Sequence, residues 1–409
     1  MASTVLRAQP IKEKNQGIAT LLAFALLPLS GFATDIYIPS LPSMATAMHV
    51  GSVQVQLTLS LFLISYGVSQ LFVGSLLDSF GRYKIALYSL VVFAFTSWII
   101  AITHQIYLIY FMRVIHGFTV GAVVVAKRAY FVDMFTGDKR KHYLSLFTII
   151  WSAGPIVAPF IGGYLQEHFG WESNFYFLAI FAGVLVILEY VFSGESLQQP
   201  TAFRLQKIVS IYWNMMRTSS FSLGIIMLGL AYSMVMVYNM TGPFIVEHHF
   251  GFSPVIAGYS SLFLGFAWMV GGFIGKATIN RPFSKKMMAN LRMQLLFMGL
   301  MLLSTQWIDN LFVMIAFAFI IHVGAGYTFN NYFTYCLGRF PQNAGIASGL
   351  TGGITYIIVS IFSYGIVSLL PPQDENHLAW SYFILGILSL FVMYQVVKLN
   401  RKLPEVVVN

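Results

Sequence analysis

Apolar runs of about 20 residues, the length of helix that crosses about 30 Å of hydrocarbon, recur along this whole chain. Twelve can be counted, at about residues 17–40, 53–77, 83–103, 105–131, 143–166, 173–193, 219–246, 254–278, 287–306, 310–334, 343–369 and 378–398. Only 9% of the 409 residues are charged, against about 25% in an ordinary soluble domain. A membrane β-barrel needs segments of alternating polarity, and these runs are apolar all round, so the spans are helical. The first run follows Arg7, Lys12 and Lys14 but is long and lacks a small-residue cleavage site, so it reads as a retained span. The expected fold is an all-α polytopic membrane protein of twelve transmembrane helices in two six-helix halves.

The charges set the orientation. Of 23 Lys and Arg, 22 fall in the segments, or at the adjoining span ends, that a cytoplasmic N-terminus would place inside; the remaining one, Arg113, lies deep within the fourth run. This positive-inside bias puts both termini in the cytoplasm. The net charge of +9 is thus a topology signal addressed to the lipid bilayer, and no nucleic-acid partner is expected. Glu167, Glu172, Glu247, Asp309, Asp374 and Glu375 all stand at predicted outer ends. The longest polar break, 194–218, divides the chain into an N-terminal half (1–193), a cytoplasmic connecting loop and a C-terminal half (219–409). Two six-span halves around a midplane site are a transporter plan.

Ionisable groups inside spans are costly and therefore informative. Arg113 within an apolar helix costs at least ~2.5–3.5 kcal/mol to insert, so an acidic partner or a water cavity is expected. Asp35, near the end of the first run, is the interior carboxylate of the first six spans, together with Glu189 at the inner end of the sixth. At 1.5 Å per residue Asp35 lies ~27 Å along its span and Arg113 ~12 Å below the outer end of its own. Asp35 is read as the proton site, its proton affinity raised by desolvation and tuned by Arg113. The lone cysteine, Cys336, permits neither an internal disulfide nor a cysteine metal cluster. No metal ligand set and no nucleophile–base set stands out, so an enzyme is not expected.

Four motifs carry a resemblance. The loop after span two reads Gly74-Ser-Leu-Leu-Asp78-Ser-Phe-Gly81-Arg82-Tyr-Lys84; its glycines allow a tight turn and close helix approach, while Asp78 and Arg82 can pair. It resembles the signature loop of the major facilitator superfamily, with Ser79 and Tyr83 departing from the pattern. Arg113, Gly117 and Gly121 resemble the arginine motif of drug:proton antiporters. Gly154-Pro155-Ile-Val-Ala158-Pro159-Phe-Ile-Gly162-Gly163 resembles the antiporter signature of span five, with Ala158 in one small-residue position. Thr34-Asp35-Ile-Tyr37-Ile-Pro39-Ser-Leu41-Pro42 is similar to an element of the Bcr/CflA branch of multidrug efflux carriers.

The resemblance implies proton-coupled efflux of small amphipathic compounds such as drugs across the bacterial inner membrane, by a monomer that is driven by the proton gradient and needs no cofactor. The rival reading keeps the fold and moves an endogenous metabolite or siderophore by export or symport. Candidate substrate contacts are Tyr37, Gln70, His116, Trp151, Asn239, Trp268, His322, Asn330 and Asn331, polar or aromatic groups at membrane depth. Met234 and Met236 offer adaptable apolar lining.

Overall fold

A computed structural model describes residues 11–200, 205–340 and 344–402. They form helices and connections, without β-strands. The N-terminal half holds α1 (Gln16–Leu26), α2 (Leu29–Asp35), α3 (Leu41–Ala47), α4 (Ser52–Phe80), α5 (Arg82–Ile102), α6 (Ile106–Met134), α7 (Gly137–Phe169) and α8 (Glu172–Phe192). After α9 (Leu205–Met216) the second half continues with α10 (Ser219–Phe244), α11 (Pro254–Ala277), α12 (Phe283–Ser304), α13 (Leu311–Gly338), α14 (Ala344–Leu369) and α15 (Glu375–Lys402). The chain divides into two compact units, Met1–Leu205 and Gln206–Asn409.

Among the described residues eleven helical segments are long and apolar enough to cross a membrane. The remaining expected span, 143–166, falls on α7, whose 33 residues reach about 50 Å at 1.5 Å each. Together these make the twelve-helix fold that the sequence predicts. The connection after 194, read as a polar break, holds the short helix α9.

Span one departs from expectation. It runs over Glu13–Ala47 rather than ending at 40, and it is broken into α1, α2, a 3-10 turn at Ile38–Ser40 and α3. Pro28, Pro39 and Pro42 stand at the breaks. Each lacks the N–H that would continue the ladder, and its ring collides with the preceding turn. Neighbouring helices at membrane depth must then satisfy the carbonyls so released.

The two units use the same pairings. In the first, α4 packs on α6, α5 on α6 and α8, and α2 on α7; in the second, α11 packs on α13, α12 on α13 and α15, and α10 on α14. Numbered as spans, these are 2–4, 3–4, 3–6 and 1–5, repeated at an offset of six. Close approach of backbones makes the first-unit seams possible. A Cβ on Gly162 of α7 would lie 1.6 Å from the Ile36 carbonyl, and one on Gly31 of α2 would lie 2.4 Å from Pro155. The span-five motif is therefore the surface on which the broken first span is docked, with Gly154 against Pro28 and Gly31. Gly163 and Pro159 are buried in the same helix.

Candidate functional site

The guanidinium of Arg113, on α6, is 0% exposed. It lies between two rings, 4.7 Å from the centroid of Tyr37 and 4.5 Å from that of Phe62. This cation–π sandwich is worth about 2 kcal/mol or more per ring when desolvated. Its NH1 donates to the Ala33 carbonyl at 2.8 Å, and Nε reaches the Thr58 carbonyl at 3.4 Å. The Ala33 bond follows from the break in span one. Because α2 stops at Asp35, the Ala33 carbonyl is among the last four of a helix, which find no intrahelical donor. A cation there also meets the negative end of the helix dipole.

Asp35 is the last residue of α2 and is 1% exposed. It lies two residues beyond the Ala33 carbonyl that Arg113 holds, so the two intramembrane groups singled out in the sequence lie in one buried region. Tyr37 belongs to it as well. Its hydroxyl donates to Thr58 Oγ1 at 2.9 Å, since that hydroxyl spends its own hydrogen on the Val55 carbonyl, and its ring packs on Phe175. Arg113 NH2 is buried without a hydrogen-bond acceptor among the described residues. One strong donor therefore stays unspent at the centre, where an unmade bond to a charged group costs more than the ~1–3 kcal/mol of a neutral one.

His116 supports Arg113 and is no open ligand. Ser97 Oγ donates to the Phe93 carbonyl at 2.8 Å, so toward His116 Nε2, at 3.2 Å, it accepts. The ring is thereby fixed as the Nε2–H tautomer, and its bare Nδ1 faces Arg113 NH1 at 3.3 Å. Phe93 lies against the ring, at 4.5 Å. Gly117, one residue on, allows α6 to meet α4: a Cβ there would be 1.9 Å from Ser65 Oγ.

The other candidates scatter. Gln70 is half-buried on α4, and the side chain of Trp151 on α7 lies outside the described residues. Asn331 spends its amide on the Tyr327 carbonyl of its own helix, at 2.9 Å, while Asn330 beside it is exposed. Asn239 is half-buried, with Nδ2 3.8 Å from Met236 Sδ. His322 donates through Nδ1 to the Ala318 carbonyl at 2.8 Å, and its buried Nε2 has no hydrogen-bond partner among the described residues. Trp268 stands in an aromatic group that the sequence did not single out: its ring packs on Tyr232 at 5.6 Å and Phe329 at 5.1 Å, and Tyr232 packs on Tyr356 at 5.9 Å. All four rings keep partial exposure. They come from spans seven, eight, ten and eleven, a convergence that no local spacing reveals.

At the basic end of the first unit the loop motif forms a charge cluster. Arg82 pairs with Asp78 at 3.0 Å and with Asp133 at the end of α6. The carboxylate of Glu195 takes the first backbone N–H groups of α5, from Arg82 at 3.0 Å and Tyr83 at 3.2 Å. Gly81 makes the turn, at φ +97°, where any Cβ would be strained and would lie 2.6 Å from Glu195 Oε2. Gly74 has open space where its Cβ would be and supports no close approach. Nearby, Lys127 Nζ meets Glu189 Oε2 at 2.6 Å, a buried ion pair joining α6 to α8.

The major facilitator superfamily model matches residues 23–363. The chain belongs to the major facilitator superfamily. Among curated members, the multidrug resistance protein MdtL of Shewanella sp. strain ANA-3 is 24% identical, over 94% of this chain and 98% of its own length. The bicyclomycin resistance protein homolog of Haemophilus influenzae is 26% identical, over 94% and 97%. Among solved structures, the xylose transporter XylE from E. coli superposes with a TM-score of 0.69 at 14% identity, covering 94% of this chain and 98% of that one. That likeness carries the fold. The superfamily is one of transporters, so the chain moves small molecules across a membrane through its many apolar helices.

Proposed function

We propose that this chain is a proton-coupled exporter of small amphipathic compounds, drugs among them, in the bacterial inner membrane. The observation that carries the reading is the buried centre of Asp35, Arg113 and Tyr37 at the break of span one. A carboxylate excluded from water binds a proton more readily, and an adjacent guanidinium opposes that tendency. The Arg113 donor without an acceptor gives an incoming cargo oxygen a bond to make.

Protonation of Asp35 from outside and its displacement by cargo from inside couple the two fluxes, because each ligand weakens the other. Alternating access by the two six-span halves completes the cycle. The printed names of the relatives, multidrug and bicyclomycin resistance proteins, support drug export as the direction and cargo class. The partly exposed rings of Tyr232, Trp268, Phe329 and Tyr356 suit a flat, partly apolar cargo. The placement of 22 of 23 cations supports cytoplasmic termini. A working monomer without a cofactor fits this scheme.

Reconstitution in liposomes with an imposed proton gradient and a drug panel tests it. Export against the proton flow is expected in the wild type and is lost in a well-folded Asp35→Asn. Undiminished gradient-driven export by that variant removes the proton-site assignment, and failure of the wild type across the panel turns the cargo toward a specialised metabolite or siderophore.

A further inference from the structure

In the second unit, at the end away from its basic loops, three side chains from three separate connections converge. His249 ends the π-helical turn Ile245–His249 that follows α10, Asp309 lies between α12 and α13, and Glu375 opens α15. His249 Nε2 is 2.9 Å from Asp309 Oδ1 and 2.8 Å from Glu375 Oε2, and the three atoms lie within 4.8 Å of one another. His249 and Asp309 are open to water, whereas Glu375 is 6% exposed.

Proton-based bonding does not complete this arrangement. An imidazole Nε2 carries at most one hydrogen, and the geometry gives it to Asp309. Glu375 Oε2, buried and as close, has no hydrogen-bond partner among the described residues. Two carboxylate oxygens crowd on one nitrogen that can offer them a single hydrogen. A divalent cation between them uses the Nε2 lone pair, takes one oxygen from each acid and balances both charges. Zinc bonds to nitrogen and oxygen at about 2.0–2.2 Å, so tetrahedral donors stand about 3.3 Å apart, and the 2.8 and 2.9 Å separations here would open by a few tenths of an ångström on binding. An imidazole ligand selects against the hard, all-oxygen preference of calcium and magnesium.

The donors are also held. Asn310 accepts from Phe312 N–H and Val313 N–H and so caps α13 beside Asp309; Phe250 packs against the His249 ring at 4.7 Å; Asn376 bonds Thr305 across from α15 to the end of α12. π turns occur often at functional sites, and this one delivers the histidine. Asp374 and His377, next in line, are committed to each other at 2.6 Å, which leaves the fourth position to water.

We infer that His249, Asp309 and Glu375 form a zinc-class divalent cation site that clamps three connections of the second unit. That it faces the periplasm rests on the proposed topology; that it binds metal does not. The test uses the full chain in detergent, carrying a purification tag without histidine, stripped with chelator and titrated with zinc chloride by calorimetry. One zinc per chain is expected, with a higher thermal midpoint when bound and an intense four-coordinate cobalt absorption on substitution with Co2+. Removing a direct ligand weakens affinity by more than the 10–100-fold typical of outer-shell changes, so His249→Asn and Glu375→Gln lose roughly 100-fold or more. Asp309→Asn, at an exposed position, does the same without risk to the core, and His248→Asn binds as the wild type. Absence of stoichiometric zinc binding, or unaltered binding in His249→Asn and Asp309→Asn, overturns the site. Because no cargo is present, this outcome is separable from failure of the transport reading.

Discussion

Replacing Glu189 with Gln strands a charge. Lys127 and Glu189 are 7% and 3% exposed in their side chains and meet at 2.6 Å, so the variant leaves an ammonium buried with no counter-charge. Breaking such a pair from one side costs about 3–5 kcal/mol. For a unit of roughly 200 residues each kcal/mol lowers the thermal midpoint by about 2–4 °C, so the expected fall is roughly 6–20 °C. The pair itself is not saturated, since Glu189 Oε1 has no hydrogen-bond partner among the described residues. Replacing both residues, as Lys127→Met with Glu189→Leu, should therefore return to within about 1–2 kcal/mol of wild type, because apolar groups of similar volume fill such a site without desolvation. Tryptophan fluorescence during thermal unfolding in detergent, applied to both singles and the double, measures the coupling. A double variant as unstable as the sum of its singles, or singles that each shift the midpoint by less than about 2 °C, would refute the assignment of a buried, mutually dependent pair.

Two further outcomes are expected. Gly81→Ala forces a Cβ into φ +97° and toward Glu195, so it should cost about 1–3 kcal/mol and lower the thermal midpoint of folded protein, while Gly74→Ala should leave it unchanged. Burial works to raise the Asp374 carboxyl, yet the hydrogen bonds donated by His377 outweigh it and hold the group below the usual carboxylate range. Its stabilising contribution is thus fully present above about pH 4, the unfolded value, and is lost as the pH falls through the lower folded value. The stability difference between wild type and Asp374→Asn should shrink as the pH falls from about 4 into strong acid, as read from midpoints across pH.

The spans were legible because apolar length is a one-dimensional property: ten of the twelve expected segments coincide with apolar helices to within several residues, and span one runs on beyond its expected end. The pairing of Asp78 with Arg82 was legible for a similar reason, as the two are four apart. What the loop motif leans on was not. Asp133 and Glu195 enter from positions 51 and 113 residues beyond Arg82, and nothing local announces them. Lys127 was counted among the inner cations, a description that hid its buried partner. The end of span one was misjudged because Leu41–Ala47 resumes the helix after the prolines, and a polarity scan cannot distinguish a helix that stops from one that restarts. His249, Asp309 and Glu375 lie 60 and 66 residues apart in sequence, beyond any ligand-spacing pattern.

One bond in this molecule has two duties. The Ala33 carbonyl that Arg113 holds belongs to the last turn of α2, and the same guanidinium stands beside Asp35. Under the proposed coupling, a proton on Asp35 would remove that negative charge and leave the guanidinium leaning more heavily on the Ala33 carbonyl. Side-chain charge and backbone thus meet at a proline-flanked joint of span one. If the proposed coupling holds, this joint is where a hydrogen ion gained or lost would be felt by the angle of a helix.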